Sequence, residues 1–566
     1  MASFTRQMER LNTFFENKGQ LPKIELAAAS RSTVSSTSTK LRPCLSVNLY
    51  VENHGWVHLT VPAGTSAGIH EPSSLTPEGE FQTAEKKAFN DYVRDRLVSC
   101  NPDPVMVDQL LEEINDKLPI RQDGIDTPFS RIGGPTATAT SLAAVLALAR
   151  ATGVSTEIAI HFLYDKIAAA YNLPPAQRMS LPVYMSKIAD GGLHGALDNQ
   201  ERPLNPVQEF LFIPIGYEKY TDAMEVTMQV NARFWNLMRE RNFDIRIGAE
   251  GGIVSPQLTS AIQVLQLMSM AIRGDGRDNR PFPGVFIGLD VAASELYDYR
   301  DAPGKYYLGK DGRAVFGSQY VDHTQLTEYY CNLIEAFPVI SIEDPYCDSD
   351  ECLSHWEYGF SRMSQDILVV TDDMTVTQPD RVQTAVKWGT GGLLTKVNQG
   401  GTFTRTCRAM QIANRHGWVK VLSHRSSEAA DFVFEAMLAV ASGAEFLKVT
   451  VGSTKGGGGG REARVNWVSN ANVIWEAIWK GIKEEGHPEY KVWTRFWGNN
   501  VLEDLRMEGL PYQGALMMHE KNPPSWLSRV QRLVTARYEQ AKITTTPIHK
   551  LEAYRFGSVG SEVGCF

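Results

Sequence analysis

The sequence predicts an α/β chain: a β/α barrel of the TIM type preceded by a smaller α+β domain. Three observations carry this. First, six short runs rich in Val, Ile and Leu stand out in the second half: GVFIGLD, PVISIED, DILVVTDD, GGLLTKVN, WVKVLSHR and AEFLKVTV. Second, each carries a charged residue or a histidine at or near its end, namely Asp290, Glu343, Asp372, Lys396, His424 and Lys448. Third, the last four intervals between these residues are 29, 24, 28 and 24, and the first is 53, room for two units. One βα unit needs roughly 30 residues, so the chain advances about one unit per polar residue. In a β/α barrel all strands point their C-terminal ends to one face, where distant residues become neighbours. An open doubly wound sheet alternates in the same way. It is disfavoured because no GxGxxG follows a strand, and a single switch-point crevice does not need a polar group on every strand.

The elements before the barrel follow in order. An amphipathic helix is expected around Met8 to Phe15, within an N-terminal extension of residues 1–23. The run SRSTVSSTST, Ser30 to Thr39, is Ser/Thr-rich and expected to be a loop. LSVNLYVENHGWVHLTVPAG alternates about Asn53–His54–Gly55, a β-hairpin pattern. Helices are expected over Glu85–Val98 and Ala137–Thr152, so residues 24–180 read as the α+β domain and the barrel begins at Leu181.

A length of 566 residues fits two domains plus appendages. Hydrophobic content of 43% and charged content of 21% are those of a soluble enzyme. A net charge of −9 argues against a nucleic-acid surface, but not against a small acidic substrate held by a local cationic cluster. Seven scattered cysteines fit a reducing compartment. Cys347 and Cys352 lie close together, but no second pair or nearby histidine set supports zinc. With no signal-peptide core and no apolar run of about 18 residues, a soluble, cytoplasmic protein without membrane contact is expected.

Asp290, Glu343 and Asp372 would repel one another at one barrel mouth unless a cation neutralised them. Hard oxygen ligands suit Mg²⁺, Mn²⁺ or Ca²⁺. Taken singly, each acid is as well explained as a cap at a βα junction; the barrel spacing of all three favours metal. Asp373 adjoins Asp372 and is expected to assist by hydrogen bonding. Lys396, close to cations and partly buried, is a candidate general base; bringing it from about 10.4 to about 7 takes roughly 4–5 kcal/mol. The alternative is a lysine that only pairs with a carboxylate. Lys448 is placed to hold substrate charge. His424–Arg425–Ser426 is a compact donor cluster suited to phosphate or carboxylate. Glu250 in GAEGG and Glu209 in QEF are acids able to protonate or orient a leaving hydroxyl.

GLDVAASELYD, SIEDPY, TDDMTVTQP, LLTKVNQGGTFT and LSHRSSEAAD resemble, in order, successive signature segments of the enolase family. VPAGTSAGIHE, SRIGGPTATATSLA, ADGGLHGA and AEGG extend the resemblance over roughly residues 24–490. It implies a modified, enolase-type (β/α)8 barrel over residues 181–490 and the reversible conversion of 2-phosphoglycerate to phosphoenolpyruvate and water. On the matching positions it implies Mg²⁺ at Asp290, Glu343 and Asp372, joined by Ser66 for a second ion. Lys396 would be the base at C2 and Glu250, beside Glu209, the acid at the C3 hydroxyl. Lys448 would hold the carboxylate, Arg425 and Ser426 the phosphate, while His194 and His424 close around the substrate. A homodimer is also implied.

Departures accompany the resemblance. Ala249 stands where the family has an acid before the catalytic Glu, and the AGTSAG loop differs from the family's, although Ser66 is kept. TKGGGGGREAR is long and glycine-rich, costly to order. Residues 491–566 form a C-terminal extension with an amphipathic stretch, PPSWLSRVQRLVTARYEQAKI, a candidate docking element for a protein partner. Two functions therefore stay open: a divergent Mg²⁺-dependent lyase, and an enolase-fold structural or interaction protein.

Overall fold

The computed structural model describes residues 4–17, 22–35, 41–62, 70–75, 81–121, 123–176, 179–217, 220–248, 251–274, 281–282, 284–423 and 433–450. Near the N-terminus lies a three-stranded antiparallel sheet in the order β1 (Ile24–Ser35), β2 (Leu41–Val51), β3 (Gly55–Pro62). The predicted hairpin turn is there: Asn53 and Gly55 have φ of 58° and 84°, a region glycine enters freely and asparagine tolerates. The Ser/Thr run is not a loop throughout. Ser30–Ser35 continue β1, in register with Ser46–Leu41 of β2. That ladder satisfies their backbone groups, and Thr and Val suit a pleated strand.

Helix α1 (Phe4–Glu16) covers the expected N-terminal helix. Leu11 and Phe14 are buried, and Phe15 stacks on Phe162 of the helix Thr156–Ala170. The expected helix Glu85–Val98 is Phe81–Ala88 running through a π turn, Phe89–Val93, into Arg94–Leu97. Gly134–Thr152 is buried along nearly its whole length, which its Ala, Ser and Thr residues allow by letting neighbours approach closely.

The remaining strands are β4 (Val183–Asp190), β5 (Glu209–Pro214), β6 (Arg246–Ile247), β7 (Ile253–Val254), β8 (Val285–Asp290), β9 (Tyr297–Asp298), β10 (Lys305–Tyr307), β11 (Tyr320–Val321), β12 (Val339–Glu343), β13 (Leu368–Thr371), β14 (Gly392–Thr395), β15 (Val419–Ser423) and β16 (Phe446–Thr450). Eight of them, β4, β5, β8 and β12 to β16, follow one another round a ring that β16 closes against β4. The six runs picked out in the sequence are β8 and β12 to β16. All are buried along the stretches described, as strands covered on both faces must be.

Two expectations about the barrel are corrected. Not every strand points the same way: β5 runs antiparallel to both β4 and β8. The interval between Asp290 and Glu343 does not hold two barrel units, because β8 pairs directly with β12. The extra chain folds instead as the small sheet β9–β10–β11 and the helices Gly309–Phe316 and His323–Ala336.

The N-terminal helices grip one barrel helix, Phe403–Arg415, at its start. Phe403 N donates to Ser141 Oγ at 2.8 Å, Thr404 N to Asp108 Oδ2 at 2.8 Å, and Thr138 Oγ1 to Gly401 O at 3.0 Å. The first two bonds satisfy amide donors that a helix leaves open in its first turn. One apolar cluster runs from Leu45 and Leu142 to Leu394 and Val421. Each buried Val, Leu or Ile contributes about 1.5–3 kcal/mol. Among the described residues no single helix is long and apolar enough to cross a membrane.

Candidate functional site

Strand register alone sets a row of carboxylates on one rim. Asp190, the last residue of β4, lies opposite Glu209, the first of β5. Glu209 lies opposite Asp290, and Asp290 opposite Glu343, the last residues of β8 and β12. The reversal of β5 is what brings its first residue to this rim. Asp372 follows β13 directly, and Lys396 follows β14. Lys448 projects from β16, opposite Ser423 and Met185.

The side chains form a chain of alternating charge. Lys187 Nζ, on β4, is 3.1 Å from Asp190 Oδ1 and 3.0 Å from Glu209 Oε1. Lys448 Nζ is 3.1 Å from Glu209 Oε2, 2.6 Å from Asp290 Oδ2 and 2.7 Å from Glu343 Oε2. Lys396 Nζ forms an ion pair with Asp372 Oδ2, whose other oxygen accepts a 3.0 Å bond from Gln399 Nε2. Asp344, at φ 43°, accepts from Asp372 N and Asp373 N at 2.8 Å each.

Asp190, Glu209, Asp290, Glu343 and Asp372 are all buried. Burial pushes the Asp290 carboxyl up against the pull of Lys448, with Glu209 adding to the rise. Burial and Asp290 hold Glu343 well above the usual carboxylate range. Burial and their acidic neighbours do the same to Asp344 and Asp373. Burial works against the Lys448 ammonium, but Asp290, Glu209 and Glu343 outweigh it and hold the group well above its ordinary value.

Asp190, Glu209, Asp290, Glu343 and Asp372 meet Lys187, Lys396 and Lys448 in the ion pairs of this rim. Glu343 Oε1 is buried with no hydrogen-bond partner among the described residues. The donors are hard oxygens, so Asp290, Glu343 and Asp372 fit Mg²⁺ in chemical type. The tightest group of acids is Asp344, Asp372 and Asp373, whose ligand atoms lie within 4.8 Å of one another. Asp344 spends its carboxylate on two backbone amides, so it positions the Asp372 strand end.

The rim thus gathers Glu209, Asp290, Glu343, Asp372, Lys396 and Lys448. His194 stands at the end of a 3₁₀ turn, Gly192–His194, just past β4, tied by Leu193 N to Glu295 Oε2 at 3.3 Å. Ser66, Glu250 with Ala249, His424, Arg425, Ser426, the Gly456–Gly460 run and residues 491–566 lie outside the described residues. Sequence reasoning missed Lys187, Asp190, Asp344 and Gln399. A lysine inside the apolar run PVYMSKIAD, and the second acid of SIEDP, were the available signals.

Residues 178–480, more than half of the chain, match the family described as Enolase, C-terminal TIM barrel domain. The matched stretch begins just before β4 and includes every strand of the barrel and all six rim residues just named. The chain belongs to the family of the enolase C-terminal TIM barrel domain.

Proposed function

We propose that this chain is a Mg²⁺-dependent hydro-lyase that interconverts 2-phosphoglycerate with phosphoenolpyruvate and water. The observation that supports it best is the buried rim itself, which gathers Asp290, Glu343 and Asp372 with Lys396 and Lys448 at one barrel mouth. Asp290, Glu343 and Asp372 would hold Mg²⁺. When bound, it supplies the positive charge that a carboxylate-derived enolate needs.

The residues divide the work. Lys396 takes the proton from C2. Its nitrogen pairs with the Asp372 carboxylate, which places it beside the residues that would hold Mg²⁺. Glu250, with Glu209 beside it, gives a proton to the departing C3 hydroxyl, which leaves as water while the C2–C3 double bond forms. Lys448 faces the substrate carboxylate, and Arg425 and Ser426 take the phosphate. His194 and His424 would close round the substrate, and Ser66 would help hold a second Mg²⁺. Every group except Lys396 binds, orients or supplies the acid side.

The test is the rise in ultraviolet absorbance as phosphoenolpyruvate forms from 2-phosphoglycerate and Mg²⁺, with Lys396→Ala as control. Mg²⁺-dependent activity lost in the variant supports the reading. No turnover at high protein and metal concentration overturns it. A second reading, an enolase-fold interaction protein, is favoured by Ala249 and the extension at 491–566. It predicts no turnover and binding of a protein partner that is lost when residues 491–566 are removed. A homodimer in the cytoplasm accompanies the first reading and is checked by sedimentation and imaging of the tagged chain.

A further inference from the structure

Lys187 and Asp190 are charged side chains with no exposed surface in their ion pair, on either side of a register shift in β4. Burying two ions costs several kcal/mol each, and a well-packed apolar pair is often as stable or more so. Stability alone therefore gives little reason for them. Their placement gives a better one. Lys187 holds one oxygen of Glu209 at 3.0 Å, while Lys448 holds the other at 3.1 Å, so the Glu209 carboxylate is fixed from both sides. Asp190 lies under the turn in which Gly248 N donates to Gly252 O at 2.8 Å. A Cβ on Gly248 would overlap Asp190 Oδ2, and one on Gly252 would overlap Asp190 Oδ1. Gly248 and Gly252, the outer glycines of GAEGG, are thus demanded by the Asp190 carboxylate. The ribbon that carries this turn, β6 and β7, is itself joined to β4 where Ile253 pairs with Ala189.

We infer that Lys187 and Asp190 are a positioning pair for the acid side of the reaction: Lys187 orients Glu209, and Asp190 packs under Gly248 and Gly252, the glycines that bracket Glu250 in the sequence. The inference rests on the dehydration reading for its kinetic consequence only. Neither residue touches substrate; both act through their neighbours.

The full chain carrying Lys187→Met is expected to lose about 100-fold in kcat, the cost of a misplaced group. Its KM and its Mg²⁺ affinity by calorimetry should stay within about threefold. Lys187→Arg should recover about tenfold of the loss by restoring a donor to Glu209. Asp190→Ala should speed hydrogen exchange at the Gly248 and Gly251 amides by about tenfold. Should Lys187→Met not fold, Asp190→Asn, which keeps shape and removes charge, is expected to lower kcat about tenfold by the same route. Unchanged kcat in a folded Lys187→Met or Asp190→Asn, or unchanged exchange in Asp190→Ala, overturns the inference. A wild-type protein without turnover sinks the dehydration reading alone, and amide exchange in Asp190→Ala then decides this one.

Discussion

Lys448 Nζ lies 2.6 Å from Asp290 Oδ2 across 158 residues of chain. The same ammonium also serves Glu343 and Glu209. Lys448→Met is expected to strand these buried carboxylates and to destabilise the protein by roughly 3–5 kcal/mol in urea melts without metal. Millimolar Mg²⁺ should raise stability more in the variant than in the wild type, since it replaces a lost countercharge. An equal Mg²⁺ response in both proteins would contradict the shared-cation role.

Lys396 touches Asp372 but is not a ligand in the proposed site. Lys396→Ala should lower kcat by about 10²–10⁴, the range of a lost general base. Mg²⁺ binding by calorimetry should be as tight as in the wild type or tighter, because a competing ammonium has gone. A variant that keeps its turnover would remove Lys396 from the base role.

Asp344 holds the backbone amides of Asp372 and Asp373. Asp344→Ala should weaken Mg²⁺ binding by about 10–100-fold, as losses behind metal ligands do. The fold should persist, read as an unchanged far-ultraviolet spectrum. Undiminished Mg²⁺ affinity would show that the strand end holds its place without Asp344.

Glu85, far from the barrel rim in sequence, is buried where it accepts bonds from Leu75 N at 2.9 Å and Thr136 N at 3.2 Å. Burial pushes its carboxyl from 4.5 to about 7. The unfolded chain releases this proton near pH 4.5 and the folded protein only near 7. Between those values the folded state binds more protons, so raising the pH favours unfolding. Stability from this group should be fully present below pH 4.5 and fall by about 3 kcal/mol as pH rises to 7, at about 1.36 kcal/mol per unit. Glu85→Gln should flatten that part of the pH dependence in thermal melts; an identical slope in both proteins would locate the titration elsewhere.

Much of this was legible in the sequence for a physical reason. A covered strand must be apolar, and a strand end at a barrel mouth is free to be polar, so the two signals coincide at Asp290, Glu343, Asp372, Lys396 and Lys448. Glu209 escapes that rule, since it begins its strand; only the QEF motif pointed to it. Lys187 and Asp190 were passed over because a lysine in an apolar run reads as a strand's exposed face, whereas here it is sealed by Asp190 and Glu209. The 53-residue interval misled for a similar reason, as chain length does not reveal whether an insertion adds a barrel strand or sits outside it. Asp344 was hidden by its neighbour, one acid in SIEDP being taken for the ligand and the other left without a task.

The ring closes where β16 meets β4, pairing Phe446 with Val183 and Lys448 with Met185. Those partners are more than 260 residues apart in the chain, and contacts so distant form slowly because loop closure costs entropy before it is repaid by pairing. During synthesis, β4 waits as an open edge while seven further ring strands emerge. Lys448 rides on the last of them. The acids of Asp290, Glu343 and Glu209 therefore stand together before their common counterion is made. Ring closure and charge neutralisation are one event, and a nascent chain cut short before residue 446 would present both an unpaired edge and an unquenched cluster of acids.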